Sequence, residues 1–327
     1  MRYIIYGAGG IGCTIGARLA LAGREVALIA RGAQLDALQS RGLTLKTPDG
    51  NHHLELPAFA SPAEMHLGRD DVVILTMKTQ DTAAALADLE AVAGPGIPVV
   101  CAQNGVENER MAARRFSHVY AMLVALPATF LEPGEVIASG APLSGALHAG
   151  RYPGGADDTI EALCNALNAA HFTSIADPEP MRFKYRKLLL NLGNALELLV
   201  PETAWGNTGE LGAFAASLRE EGEACYIAAG IDAMSMSEYQ ERVTSHYAHT
   251  PVEGRPRSGS STLQGLMRGN STTEVDYLNG EIALLGALHA VPTPRNTLVR
   301  TLAAEVVAGK RSPRSLTAAD LAAMATA

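Results

Sequence analysis

The chain has 327 residues, of which 47% are hydrophobic and 18% are charged, so it is long enough to form two domains with hydrophobic cores. Its formal net charge of -8 argues against nucleic acid as the main partner, although a local basic pocket for an anionic ligand remains compatible with that charge.

Cysteine spacing and hydropathy bear on the compartment. The four cysteines are far apart in sequence and form neither a disulfide framework nor a zinc motif, so we expect reduced thiols, no metal site and a cytoplasmic protein. The longest apolar run, residues 120–131, is interrupted by Pro127 and is too short to span a bilayer. The N-terminal residues lead into a glycine motif and not into a signal peptide. We therefore expect no membrane partner.

The first predicted elements are a strand at residues 2–6, a glycine motif at 7–12, a helix to Ala22 and a second strand at 25–30. A G-x-G-x-x-G motif between a strand and a helix in a unit of this length is typical of dinucleotide binding. The first glycine allows the tight turn, the second lets the backbone approach a pyrophosphate, and the third lets the helix pack close to the strand. Free N–H groups at the start of the helix then face the phosphates. The predicted cofactor-binding residues of this motif are Gly7, Gly9, Gly10, Ile11 and Gly12.

The end of the second strand favours NADP over NAD. An NAD enzyme usually has Asp or Glu at this point, where the carboxylate bonds the ribose 2′-hydroxyl. This strand ends in Ile29-Ala30-Arg31-Gly32, with no acid in reach. A guanidinium can pair with a 2′-phosphate, so Arg31 is the predicted phosphate anchor. The alternative is that Arg31 is a solvated surface residue.

Two further predicted strands, residues 71–77 and 98–102, are continuous apolar runs, as expected in a sheet covered on both faces. Lys78 follows the first of them, and Gln103-Asn104-Gly105 follows the second. Ligands of open α/β sheets bind beyond the carboxyl ends of the strands, so we expect Gly7, Arg31, Lys78 and Asn104 to converge on one edge. Lys78 and Asn104 taken singly could be ordinary loop residues.

Shorter elements complete the first domain. They are a hairpin with strands at 43–46 and 53–56, short antiparallel strands at 136–139 and 144–148, a helix at 156–170 and a strand at 173–175. Asp177-Pro178-Glu179-Pro180 then breaks the pattern and is the predicted domain boundary. The expected fold is therefore α/β, with an N-terminal Rossmann-like doubly wound sheet at residues 1–180 and an all-α substrate and catalytic domain at residues 181–327.

The pattern after the boundary is helical throughout. The predicted helices lie at residues 181–200, 211–231, 237–246, 263–267, 273–290 and 296–308, and Thr317 to Asp320 form a capping box for a last short helix. A loop rich in Gly, Pro and Ser at residues 251–261 is expected to be mobile and to order over the substrate.

The helix predicted at residues 181–200 is rich in leucine but has one polar stripe. Lys187, Asn191 and Asn194 are spaced i, i+4 and i+7, so their side chains would share a face. Asparagine is a poor interior helix residue, and a solvated face would usually carry Glu, Arg and more Lys. The stripe therefore indicates the polar lining of a half-buried cleft. The alternative is that the asparagines bond a neighbouring loop.

With these residues in place, the sequence resembles the ketopantoate reductase family over nearly its whole length. The resemblance rests on several motifs in their order, namely residues 7–12 with Arg31, Thr76-Met77-Lys78-Thr79, Gln103-Asn104-Gly105, residues 186–191 and residues 260–264. The most specific motif is TEVDYLNG at residues 273–280.

The resemblance implies an enzyme of pantothenate biosynthesis that reduces a 2-oxo acid with NADPH. It implies Lys187 as general acid and Glu274 as the acid that binds the substrate hydroxyl and helps to place the lysine. Asn191 and Ser261 match substrate-binding positions, and Asn194 and Lys78 are further expected substrate-binding residues. Lys78, Asn104, Arg31 and Glu274 match cofactor-binding positions. A small-molecule 2-oxo acid is the expected partner, and a homodimer is one of the assemblies compatible with the sequence.

The chain departs from the family pattern on the substrate side. Ala195 stands where the family usually has a second asparagine, which lies here one residue earlier, at Asn194. Gly265 replaces an aspartate, and the stretch from Ser261 to Glu274 is one residue longer than usual. Ketopantoate is the expected substrate, but two alternatives stay open: a dehydrogenase of another 2-oxo or hydroxy acid, and a non-catalytic NADP-binding sensor.

Overall fold

The computed structural model describes residues 1–201, 209–253, 259, 262–263, 265 and 273–325. Ser261 and most of the loop expected to cover the substrate, residues 254–258 and 260–261, lie outside the described residues. The chain divides into two compact units, Met1–Lys184 with Ser235–Arg257, and Tyr185–Met234 with Ser258–Ala327. Among the described residues, no helix combines the length and hydropathy needed to cross a membrane. The same residues contain no group of three or more His, Cys, Asp or Glu that could hold a metal ion.

The first unit is built on a sheet of seven strands. In chain order they are β1 (Arg2–Tyr6), β2 (Glu25–Ile29), β5 (Ala58–Phe59), β6 (Asp71–Leu75), β7 (Val99–Cys101), β8 (Val119–Met122) and β12 (Ala149–Arg151). The spatial order is β12-β8-β7-β6-β1-β2-β5. All neighbouring pairs are parallel except β12 with β8, which is antiparallel.

Both faces of this sheet are buried, which explains the continuous apolar runs in its strands. Successive side chains of a strand point to opposite faces, so Ile5 and Ile74 pack into one hydrophobic cluster, whereas Ile4 and Val73 pack into another. The covering helices are α1 (Gly10–Leu21), α2 (Gly32–Arg41), α3 (Thr79–Ala93), α4 (Asn108–Ala113) and α5 (Asp158–Ala169).

A smaller sheet contains the predicted hairpin. Its strands are β3 (Leu43–Thr47), β4 (Gly50–Leu54), β9 (Ala128–Thr129) and β10 (Glu135–Ala138), in the order β4-β3-β10-β9. Two short strands were predicted wrongly. Residues 144–148 and 173–175 form only isolated bridges, such as the one between Ala146 and Thr173, and the regular antiparallel strand is β12, which follows directly after the first of these segments.

The described part of the second unit is helical. Its elements include α6 (Pro180–Asn191, of which Tyr185 onward belongs here), α7 (Leu196–Leu199), α8 (Gly209–Ala229), α10 (Asn279–His289), α11 (Pro294–Val307) and α12 (Ala318–Met324). The predicted capping box at Thr317 and Asp320 is confirmed.

The prediction of one helix over residues 181–200 is wrong. The α-helix ends at Asn191, a 3₁₀ segment spans Leu192–Ala195, and α7 follows. Gly193 and the flanking asparagines are weak helix formers, and a tighter 3₁₀ turn is a common result at such a point. Asn194 therefore does not continue the α-helical face shared by Lys187 and Asn191. The helix predicted at 273–290 is likewise a 3₁₀ segment, Glu274–Tyr277, followed by α10.

One stretch predicted as helical domain packs in the first unit. After α9 (Met236–Arg242) and a 3₁₀ turn, the chain forms β13 (Tyr247–His249). This strand pairs antiparallel with β11 (Gly140–Pro142), and the Arg242 guanidinium lies 2.6 Å from the Asp177 carboxylate. The described residues 235–253 therefore belong to the first unit, although the sequence pattern places all of 181–327 in the second domain.

Candidate functional site

The carboxyl ends of four parallel strands meet at one edge of the large sheet. These neighbouring strands are β7, β6, β1 and β2. Asn104, Lys78, Gly7 and Arg31 follow them within a few residues, in the same spatial order. The backbone therefore brings these four predicted site residues to a common edge, which is the edge where open α/β sheets bind ligands.

The glycine loop fits the roles expected of it. Gly7 has φ +112°, and a Cβ there would lie 2.5 Å from the Met77 nitrogen, so only glycine fits. A Cβ on Gly12 would lie 2.4 Å from the Gly7 carbonyl oxygen, which means that the helix packs too close to the turn to admit a side chain at this position. Gly9 differs, because a Cβ there would meet nothing within 4 Å. The space beside Gly9 is thus open toward a ligand.

The start of α1 offers donors to an anion. The first helical hydrogen bond runs from the Cys13 N–H to the Gly9 carbonyl oxygen at 2.8 Å, so the N–H groups of Gly10, Ile11 and Gly12 have no acceptor within the helix. The cap residue Gly9 has no side chain, and the first turn contains no acid. This donor set and the open space at Gly9 fit the pyrophosphate of a dinucleotide.

The edge near the glycine loop is partly shielded from water. Tyr6 is the last residue of β1, and burial, with a smaller contribution from Asp88, raises the pKa of its hydroxyl to about 12. The Thr76 hydroxyl donates a 2.8 Å hydrogen bond to the Gly7 carbonyl oxygen and so fixes the turn.

Arg31 is the N-cap residue of α2, and its side chain is 83% exposed. Its Nη2 lies 3.1 Å from a carboxylate oxygen of Asp81, in the first turn of α3. Both the exposure and the position beyond β2 suit a phosphate anchor. The ion pair with Asp81 was not anticipated from the sequence.

The loops that carry Lys78 and Asn104 are joined by a buried hydrogen-bond network. The Gln103 amide donates to the Met77 carbonyl oxygen at 2.9 Å and to the Thr82 hydroxyl at 2.8 Å. The Asn108 amide donates to the Asn104 carbonyl oxygen at 3.1 Å, and its oxygen accepts from Thr82. Buried networks of this kind rigidify the backbone, so the two loops are held as one piece.

A buried ion pair extends this network. The Lys184 ammonium contacts the Glu109 carboxylate and donates to the Gln103 carbonyl oxygen at 3.0 Å. The side chains are only 2% and 0% exposed, respectively. Burial raises the pKa of the Glu109 carboxyl above its ordinary value, and the adjacent Lys184 opposes that shift. Lys184 thus links the first turns of α6 to α4 through Glu109 and to the loop that carries Asn104 through Gln103.

In the second unit, Lys187 and Asn191 lie one turn apart on α6. Lys187 is half-buried, and Asn191 is only 6% exposed. The Nδ2 of Asn191 is buried without a hydrogen-bond partner among the described residues. Buried amides are nearly always bonded, so this one requires an explanation.

The segment that carries Glu274 is tied to the end of α6. Asn279 begins α10, directly after the 3₁₀ turn that starts with Glu274. Its amide donates to the Leu192 carbonyl oxygen at 3.1 Å and to the Asn296 side chain at 3.0 Å. Asn296 donates in turn to the Glu221 carboxylate at 2.8 Å. Lys187, Asn191 and Glu274 therefore belong to elements of one unit that a buried network connects.

Several of these supporting residues were missed by sequence reasoning. Lys184, Glu109, Asn108, Asn296 and Glu221 are polar or charged and fully or nearly buried. Their partners lie far away in sequence, and no local pattern pairs them. The one available signal was the position of Asn108 and Glu109 just after the Gln103-Asn104-Gly105 motif.

A parallel sheet with a glycine loop after its first strand, followed by a helical unit, defines a dinucleotide-binding oxidoreductase of two units. Two family models match the chain, "Ketopantoate reductase PanE/ApbA" over residues 3–154 and "Ketopantoate reductase PanE/ApbA C terminal" over residues 181–307. The chain belongs to the ketopantoate reductase family. It is an enzyme of the ketopantoate reductase type and uses a nicotinamide cofactor.

Curated relatives support this assignment over nearly the whole chain. The 2-dehydropantoate 2-reductase of Pyrococcus horikoshii is 27% identical over 307 residues, covering 92% of this chain and 96% of the relative. That of Halobacterium salinarum is 27% identical and covers 93% and 97%.

Solved structures share the fold. A PanE/ApbA family ketopantoate reductase from Ralstonia eutropha has a TM-score of 0.78 and 26% identity, covering 95% of this chain and 99% of that one. A D-mandelate dehydrogenase, solved with NADH and anilino(oxo)acetate, has a TM-score of 0.77 at 21% identity and covers 95% and 98%. At that identity the second likeness concerns the fold alone.

Proposed function

We propose that this chain reduces 2-dehydropantoate (ketopantoate) to pantoate, with NADPH as the preferred cofactor and Lys187 as the general acid. The relatives named 2-dehydropantoate 2-reductase support the substrate, since they match along more than nine-tenths of their length. The single observation that carries the proposal is the buried amide of Asn191, one helical turn from Lys187.

An unpaired buried amide costs about 1–3 kcal/mol, so a folded protein rarely retains one without a use. Asn191 lies on a helix whose nearby buried side chains Leu188 and Leu189 are apolar, and the buried Lys184 of the same helix is paired with Glu109. A substrate carboxylate or hydroxyl is the kind of group that would accept a hydrogen bond from its Nδ2. Lys187 on the same face then lies within one turn of the bound substrate.

The chemistry requires a cation beside the reacting carbonyl. A nicotinamide cofactor, when bound, would supply the hydride for the ketone carbon. Lys187 stabilises the negative charge that develops on the carbonyl oxygen and gives that oxygen a proton, which leaves a hydroxyl. General acids of this kind typically contribute about 10²–10⁴-fold to the rate.

Glu274 is proposed to accept a hydrogen bond from the substrate hydroxyl and to hold the ammonium of Lys187 in place. Support comes from the link through Asn279, which fixes the start of α10 against the end of α6. A general acid must be held by surrounding groups to keep its reacting geometry. Asp276, two residues later, is instead 53% exposed and paired with Arg300.

NADPH is proposed over NADH because Arg31 stands where an NAD enzyme usually places an acid. The donors at Gly10 and Ile11 would hold the pyrophosphate, and Arg31 would pair with the 2′-phosphate. These residues all belong to the first unit, whereas Lys187 belongs to the second. Loss of the Lys187 ammonium should therefore leave cofactor affinity nearly unchanged.

The experiment follows NADPH oxidation by the purified protein with ketopantoate, a branched 2-oxo acid and the 2-oxo acid formed when mandelate is oxidised. Ketopantoate is expected to give the highest kcat/KM. A clear preference for another acid would replace the substrate and leave the reaction type standing. Ala195 and Gly265, which depart from the family pattern, are the positions to which such a preference would be traced.

Variants test the mechanism. Lys187→Ala should lower kcat and kcat/KM together by about 10²–10⁴-fold with the NADPH Kd nearly constant. Lys187→Arg should keep substrate affinity but lose rate, because a guanidinium does not release its proton. Glu274→Gln should raise KM and lower kcat.

The matched controls are Lys310→Ala, at an exposed lysine of the same unit, and Asp276→Asn. Near-normal kcat in a folded Lys187→Ala protein would refute the assigned role.

A further inference from the structure

The ion pair between Arg31 and Asp81 lies across the glycine loop. In the sheet, β1 lies between β2 and β6. Arg31 follows β2, and Asp81 follows β6 in the first turn of α3. Their side chains therefore meet over the carboxyl end of β1, where the glycine loop starts, at 3.1 Å.

We propose that Asp81 is a specificity-determining residue. Its carboxylate weakens the binding of NADPH and so reduces the preference of the protein for NADPH over NADH. The inference rests on the proposed function, in which Arg31 pairs with the 2′-phosphate. The Asp81 carboxylate already occupies one Nη of that guanidinium. A phosphate must therefore displace the carboxylate or share the guanidinium with it.

Sharing brings two negative groups to opposite sides of one planar cation, a few ångströms apart. The guanidinium has further N–H groups that could receive the phosphate, so sharing is geometrically possible. The repulsion then acts on the phosphate of NADPH but not on the neutral 2′-hydroxyl of NADH. Because Asp81 is 36% exposed, water weakens the repulsion, which we expect to be on the order of three- to tenfold in affinity at low salt.

The opposite role would be that Asp81 holds Arg31 in position for the phosphate. The Arg31 side chain is 83% exposed even with this partner, and an exposed pair restricts a long side chain only slightly. The competition between the Asp81 carboxylate and the phosphate for Arg31 should therefore affect NADPH affinity more than any ordering of the Arg31 side chain by Asp81.

The test measures Kd for NADPH and NADH by titration calorimetry with the full chain, at low and high salt. Asp81→Asn removes the charge with little change of shape and should tighten NADPH by about three- to tenfold, while NADH changes by less than about twofold. The gain should shrink at high salt. Glu90→Gln is the control, because it removes one charge from the same helix at a similarly exposed ion pair, with Arg115, and should leave the ratio unchanged.

Arg31→Ala separates this inference from the proposal on which it rests. If Arg31→Ala weakens NADPH selectively but Asp81→Asn leaves NADPH unchanged or weakens it, the competition is refuted and the NADPH site stands. If Arg31→Ala affects both cofactors equally, Arg31 is not the phosphate anchor and both ideas fail. A tighter NADPH in Asp81→Asn together with an equal gain in Glu90→Gln would reveal a general charge effect and would also overturn the assignment.

Discussion

At the scale of single residues, the glycine loop contains two glycines that are required for different reasons. Gly12 is needed for folding, because any side chain would collide with the backbone of Gly7. Gly9 has no steric need within the protein, since its φ of −91° suits any residue and the space beside it is open. A glycine that the packing of the protein itself does not require is best explained by a ligand that approaches the backbone.

This contrast gives a paired prediction. Gly9→Ala should fold with nearly unchanged stability but weaken NADPH by at least about tenfold, because the added methyl group takes space that the pyrophosphate would use. Gly12→Ala should lower the free energy of unfolding by about 2–4 kcal/mol, because the backbone must shift to admit the methyl group. Urea denaturation and cofactor titration of both variants check this. Equal loss of stability in the two variants would contradict the distinction.

At the scale of elements, the buried strands and the glycine loop were predictable because their signals are local. Four adjacent strands have apolar runs that two covered faces require, and each glycine acts on its own turn. The breaks in the leucine-rich helix and the strand β13 were not predictable. The end of α6 depends on how Asn191 and Gly193 compete with helical hydrogen bonds. The partner of β13 lies more than 100 residues earlier, at Gly140–Pro142, and no short pattern reports it.

The candidate site likewise has a part that was predictable from the sequence and a part that was not. Arg31, Lys78 and Asn104 were placed on one edge because the strand-end rule needs only the point at which each parallel strand ends. The Lys184–Glu109 pair and the bond from Asn279 to Leu192 were not foreseen, since they join residues 75 and 87 positions apart. Such contacts follow from tertiary packing, which a single sequence does not display.

The Lys184–Glu109 pair gives a prediction at this scale. Lys184→Met should lower the free energy of unfolding by about 3–5 kcal/mol, because it leaves the Glu109 carboxylate buried without a counter-ion. The double variant Lys184→Met with Glu109→Leu should recover much of the loss, since both charges are then gone. The control is Arg115→Met, which breaks an exposed pair and should cost less than about 1 kcal/mol. Similar losses for both single variants would contradict the role of burial.

At the scale of the whole molecule, the chain returns to the sheet-bearing unit after leaving it. Residues 235–253 pack there through β13, through the Arg242–Asp177 pair and through a contact of Arg242 with the Phe183 ring at 4.7 Å. His148 lies in the same place, 2% exposed, with its Nε2 2.7 Å from the Arg242 carbonyl oxygen. The attachment of this returning segment therefore includes a titratable group that is buried.

Burial lowers the pKa of His148 from its ordinary 6.5 to about 4; the hydrogen bond to the Arg242 carbonyl and the charge of Asp177 oppose the shift, and the charges of Arg242 and His246 add to it. Between these two values the unfolded chain binds a proton that the folded chain does not bind. Stability should therefore be complete above about pH 6.5 and should fall as the pH drops toward about 4, by up to roughly 3 kcal/mol. Urea denaturation as a function of pH measures the slope.

The variant His148→Gln keeps an amide donor for the Arg242 carbonyl oxygen but cannot titrate. We expect it to reduce the slope of stability between about pH 6.5 and pH 4, because the extra proton of the unfolded state is gone. The control is His118→Gln, at an exposed histidine of the same unit, which should leave the slope as it is. Because the two units of a chain can unfold in separate transitions, the transition of the sheet-bearing unit is followed by hydrogen exchange of β12, next to His148. An unchanged slope in His148→Gln would show that the acid sensitivity of this unit does not originate in His148.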